Sequence, residues 1–290
     1  MSRSRLRRGA AATTMAGFGL TELMIAMVLG LIVIGAAFAI FQTSQTTFRS
    51  NEGLSRIQET ARAAFELISR DVRAAGGSAC SNFSAVEGAD ARTIQFRDNA
   101  VSGTTDSLRV VSGDDTAYRV VGSTAGSVTL HADDVDAASD VFAVNDFLIL
   151  CNARKTHVVR ATGVTGHTVT FAALPGGYVP TADIYAPPAA VVLARYRDVN
   201  WFVAGHGRPG GGSSLFVSRN GGDPEEVAEG VEGIAFSYLE TGEDDYVDTP
   251  ADWRQVVAVR VTMTLVGADV DGNQLRRTAS NVVSMRGRTL

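Results

Sequence analysis

Leu23 to Phe41 is a run of nineteen residues with no charge, no strongly hydrogen-bonding side chain and no proline. As a helix rising 1.5 Å per residue it would reach about 28 Å, close to the hydrocarbon thickness of a bilayer. The polar stretch Gln42 to Thr47 holds no turn residues, so the helix is expected to continue through it. Beyond it Leu54, Ile57, Ala61, Ala64, Phe65, Ile68 and Val72 recur at steps of three and four. Arg56, Glu59, Arg62, Glu66, Arg70 and Arg73 stand between them. That spacing predicts an amphipathic helix whose apolar stripe packs on a domain. Gly76-Gly77 would end it as a C-cap, and Gly53 is a point where it could bend. One helix is therefore expected from roughly Gly19 to Ala75, apolar on every side in its first half and on one side in its second.

After Gly77 the apolar period drops to two. Short β-branched runs sit between turn signals at Leu108–Val111, Tyr118–Val121, Val128–Leu130, Phe147–Leu150, Val158–Ala161 and Val169–Phe171. They continue at Val191–Tyr196, Trp201–Ala204, Leu215–Ser218, Ile234–Leu239, Val256–Leu265 and Asn281–Met285. No helical pattern of useful length separates them, which favours an antiparallel sheet over a parallel one. The expected fold class is α+β: a long N-terminal helix, transmembrane then amphipathic, packed on a large antiparallel β-rich C-terminal head.

Composition narrows the function. The 290 residues are 45% hydrophobic and 20% charged, with 30 Gly and 7 Pro, which excludes collagen-like, mucin-like and disordered readings. A net charge of −5 argues against a protein that coats nucleic acid, because phosphate neutralisation needs a basic surplus. The charge is unevenly placed. Arg3, Arg5, Arg7 and Arg8 precede the apolar run and residues 1–17 contain no acid, which puts the N-terminus in the cytoplasm and everything after Phe41 outside. A cleavable secretory signal, with Ala37-Phe38-Ala39 as its cleavage site, and a plain signal anchor both account for that pattern. Neither accounts for Glu22 at the start of the run, where a carboxylate at membrane depth costs about 2.5 to 3.5 kcal/mol on insertion scales.

The junction Gly17-Phe18-Gly19-Leu20-Thr21-Glu22 resembles the type IV prepilin processing site, with Gly19 where Ser or Thr is commoner. The resemblance implies that a prepilin peptidase cuts after Gly17 and that Phe18 becomes the N-methylated mature terminus. Glu22 would then be the acid used in assembly. Its physical role would be to pair, in a low-dielectric helical stack, with the Phe18 amine of a neighbouring subunit, since a pair offsets a burial cost that neither charge could bear alone. The helix string Arg56 to Arg62 and Ser69 to Gly76, followed by Cys80, is similar to the PilW family of type IV pilus minor pilins. Asn145 to Asn152, Glu229 to Tyr238 and Val256 to Leu265 are similar to later parts of the same family. The resemblance implies a leader over 1–17, a transmembrane and assembly helix over 18–41, its amphipathic continuation over 42–75 and a β-rich extracytoplasmic head over 76–290.

It also implies a structural protein, not an enzyme, that helps initiate or cap a type IV pilus. Such a protein sits in the inner membrane as a single-pass precursor with a periplasmic head and then moves to the pilus at the cell surface. Its partners would be the prepilin peptidase, other minor pilins, the major pilin and a tip adhesin, with no cofactor and no need for nucleic acid. A type II secretion pseudopilin of the GspJ kind shares the processing site and helix and is the alternative; an envelope-anchored binding module or enzyme is a more distant one.

Cys80 and Cys151 would both lie outside the cytoplasm, where a disulfide between them is permitted; two buried free thiols are the other reading. Catalytic motifs are absent from the sequence. There is no G-x-S-x-G, no H-E-x-x-H and no C-x-x-C, and His131, His157, His167 and His206 are dispersed. Gly205 to Ser213 is glycine-rich without the ending of a phosphate loop, and reads as a hairpin loop. Asp133-Asp134-Val135-Asp136 and Glu243-Asp244-Asp245 lack calcium-loop spacing and read as solvated acids, and Asp269 to Asn273 reads as an Asp-Gly hairpin turn. No metal site is expected.

Overall fold

The computed structural model describes residues 19–80, 84–183, 191–209, 211–270 and 273–287. Helix α1 runs unbroken over Leu20–Ala74, 55 residues. Its polar stretch stays helical, with the hydroxyls of Thr43 and Thr47 bonded back to the carbonyls of Ala39 and Thr43, at 3.0 and 2.9 Å. The chain divides into two compact units, the first ending at Glu52 and the second beginning at Gly53. In the first unit α1 is exposed on all faces, and large apolar side chains such as Ile32 and Ile40 are 62% and 71% exposed.

In the second unit the same helix buries Ile57, Ala61, Ala64, Ile68 and Val72, the stripe the spacing predicts. Gly53 serves close approach: a Cβ there would lie 2.9 Å from Leu275 Cδ1. Gly76, with φ of 68°, ends the helix, and its N–H bonds Val111 O at 2.9 Å. Helix α2, Ala91–Asp98, lies before the first of the expected strand runs, in a segment for which the pattern predicts no element. Asp90 caps it by accepting from the N–H groups of Arg92 and Thr93, both at 3.0 Å, and it buries Thr93 and Phe96. With one buried aromatic in eight residues, it leaves too little periodicity to be seen.

Among the described residues ten strands form the larger sheet. They are β1 (Ala85–Val86), β2 (Val101–Gly103), β3 (Ser107–Ser123), β4 (Ser127–Leu130), β5 (Phe147–Cys151), β6 (Lys155–Thr165), β7 (Thr168–Phe171), β8 (Val192–Gly205), β9 (Ser213–Arg219) and β10 (Glu225–Glu229). All pairings are antiparallel except β1 with β6. Strand β3 pairs with both β4 and β8, so β3-β8-β5-β6-β7-β4 closes into a ring. A closed ring has no edge to protect, and its interior is filled by Val128, Leu130, Leu148, Leu150, Val169 and Leu193 with their neighbours.

A second antiparallel sheet, β11 (Val231–Glu240), β12 (Val256–Val270) and β13 (Asn273–Ser284), forms a ladder of its own. The other core joins this sheet, the buried stripe of α1, Phe96 of α2, and Leu108, Trp201 and Leu215 of the larger sheet. The architecture is α+β, a long apolar N-terminal helix and a large antiparallel β-rich body.

Strand β8 organises the larger sheet. On one edge β3 pairs along it from Val192 to Phe202. On the other edge β5 occupies Val192 to Arg195 and β9 occupies Val199 to Gly205. Tyr196, Arg197 and Asp198 therefore lie where one partner strand has ended and the next has not begun.

Candidate functional site

The first candidate is the start of α1. Glu22 lies in its first turn, exposed, with its N–H bonded to Gly19 O at 3.0 Å. Unbonded amide groups and the positive end of the helix dipole stabilise an acid in that position. The apolar run beside it gives the one helix, among the described residues, long and apolar enough to cross a membrane, and none of that run is buried. A soluble protein's core helix of this composition would be largely covered. Gly17 and Phe18 lie outside the described residues.

The second half of α1 is fixed by charge as well as by packing. Asp71, buried, sits 2.8 Å from Arg197 Nη2 and accepts a 2.9 Å bond from Trp201 Nε1. Arg197 and Trp201 are four residues apart on β8 and so share a face. Burial pushes the Asp71 carboxyl above its ordinary range, and Arg197 and Trp201 pull against it.

Cys80 and Cys151 are joined, with Cα atoms 6.0 Å apart and a sequence separation of 71. Closing a loop of that length contributes about 4 kcal/mol as an upper figure in the chain-entropy model. The bridge fastens the segment after α1 to the end of β5.

Other sequence candidates have ordinary surroundings. Asp134 is taken by Arg119, through its side chain and backbone N–H, and is held down at about 2. Among the described residues no three His, Cys, Asp or Glu side chains form a metal-holding group. His157 is buried against Tyr178, ring centroids 5.4 Å apart, and burial lowers its pKa. Asp271 and Gly272, in the Asp-Gly turn, and Gly210, in the glycine-rich loop, lie outside the described residues.

A third grouping was not legible in the sequence. Asp198 accepts from Arg92 at 2.7 Å and from Arg109 Nε at 2.8 Å. Burial pushes its carboxyl up, but the two guanidiniums outweigh that and hold it below the usual range. Arg92 and Asp198 are 106 residues apart, and Asp71 and Trp201 are 130 apart, so no local motif marks either group.

No family model, no curated protein and no solved structure matches this chain.

Proposed function

We propose that the protein is a pilin-like structural subunit, a minor pilin of the PilW kind. In this reading a prepilin peptidase cuts after Gly17, Phe18 is N-methylated, and the subunit joins a type IV pilus through α1. Glu22 pairs there with a neighbour's Phe18 amine. The β-rich body faces the periplasm while the precursor waits in the inner membrane, and later contacts other minor pilins, the major pilin or a tip adhesin. It performs no reaction of its own.

The observation that carries the reading is the division of one helix. Residues 23–41 are apolar and exposed all round, whereas residues 57–72 bury a single stripe on a β-rich body. An all-round apolar helix needs lipid or like helices, and an assembling membrane subunit meets both in turn. Glu22 at the head of that run distinguishes assembly from simple anchoring, since an anchor has no use for a carboxylate there.

The test is intact mass and N-terminal sequencing of the protein recovered from sheared surface filaments. A terminus at methyl-Phe18 is expected. A terminus at Ile40, or a retained leader, would end the proposal.

A further inference from the structure

At the handover on β8 the larger sheet has a crevice. It is a cavity of about 200 Å³, roughly seven water volumes at about 30 Å³ each. That is room for a single sugar ring or a short diacid. Strand β5 begins there at Phe147 and β9 ends there at Arg219. The chain enters β5 through Asn145 and leaves β9 through Asn220, both of which line the cavity. These are the two non-glycine residues, among those described, with positive φ, 78° and 52°. Asn220 closes the interrupted ladder: its Oδ1 accepts from Asp198 N–H at 2.9 Å and its N–H bonds Asp198 O at 2.7 Å.

The wall is rich in guanidinium. Arg92 and Arg195 line it, Arg92 sitting 4.9 Å over the Phe147 ring. Arg109 reaches Asp198 from β3, and Arg160 donates to Asn145 Oδ1 at 2.8 Å. Of these four cations only Arg92 and Arg195 line the cavity, and two carboxylates line it with them: Asp146, 3.7 Å from Arg195, and Asp198. Asp198 is shared by two guanidiniums, and Arg195 donates to the Val141 carbonyl while Asp146 lies beyond its hydrogen-bond reach; with five N–H donors on each guanidinium, donor capacity remains on the cationic side. Tyr196, also on the wall, has a buried hydroxyl with the Arg92 guanidinium beside it. Burial, then the charge of Asp198, raise its pKa to about 12, so it keeps its proton as a donor.

We infer that this crevice binds a small carboxylate-bearing ligand the size of one sugar ring, with Arg195 and Arg92 taking the carboxylate and the Asn145 and Asn220 amides orienting the rest. The inference does not draw on the pilus reading. It would stand if the chain assembled elsewhere.

The test is saturation-transfer NMR on the full-length protein in detergent micelles, with glucuronate, glucose and glutarate as probes. Saturable binding of a carboxylate, with glucose much weaker, is expected. Glucuronate binding above glutarate would assign the source to acidic sugars, and the reverse to acyclic acids. Arg195→Gln is expected to weaken binding by about tenfold or more. Asn220→Asp keeps the bond from Asp198 N–H while adding a repelling charge. It should weaken carboxylate binding similarly, and it decides the matter if Arg195→Gln fails to fold. Absence of saturable carboxylate binding, equal binding of glucose, or unchanged binding in Asn220→Asp would overturn the inference.

Discussion

Glu22 and Asp71 are acids on the same helix, and their surroundings are opposites. Glu22 is exposed at the head of a segment that covers none of its apolar surface. Asp71 is buried, and its partners Arg197 and Trp201 come from a strand 126 and 130 residues further along the chain. The same contrast holds for isoleucines: Ile32 is 62% exposed and Ile68 fully buried. Secondary structure alone does not decide what a residue does. A helix of uniform geometry has one half completed by its own chain and another whose apolar surface no described residue covers.

The comparison is broken most severely at Asp71. Asp71→Ala strands the Arg197 guanidinium in a largely buried place and should cost the body about 4 kcal/mol, the range for breaking a buried ion pair. Urea unfolding of the full-length protein in detergent, followed through the buried Trp201, measures this. Glu22→Ala should leave that midpoint where it was and yet be largely absent from filaments. Normal incorporation would remove the assembly role from Glu22.

The isoleucines sharpen the same point. Ile68→Ala should destabilise the body by about 3 kcal/mol, through lost transfer energy and the cavity left behind. Ile32→Ala should change it by less than about 0.5 kcal/mol, as exposed substitutions do. Equal losses at the two positions would mean that the first unit packs on protein and not on lipid or like helices.

The smallest effect is acid-dependent. Asp198 is held below its unfolded range, so its contribution is present above about pH 4. It is lost as pH falls through the lower folded value. The stability gap between wild type and Asp198→Asn should therefore be full at pH 6 and shrink towards pH 3. A constant gap would show that its charge does nothing for the fold.

The helix was legible because apolar periodicity is a local property, and Gly76 marked its end because a positive φ at a C-cap favours glycine. The strands were legible as pieces and misjudged in length. Ser112 to Thr116 has turn composition, yet β3 runs through it, with a register shift between Gly113 and Ala117 opposite β8. Likewise Arg197 to Asn200 looks like a break between two runs, but β8 is continuous there because Asp71, Arg92, Arg109 and Asn220 satisfy its polar groups. Tertiary partners rescued both stretches, and partners a hundred residues away leave no trace in a local pattern. The crevice was invisible for the same reason, being made by the ends of strands that meet only in the folded sheet.

Strand order also sets a timetable. Val110 must wait for Val199 before β3 has its main neighbour, so a chain delivered from its N-terminus holds that ribbon paired on one edge only, by β2 and β4, while 89 further residues arrive. Truncated products ending before Val192 would leave both β3 and β5 with open backbone, and these fragments, more than any point variant, are the ones expected to clump during synthesis.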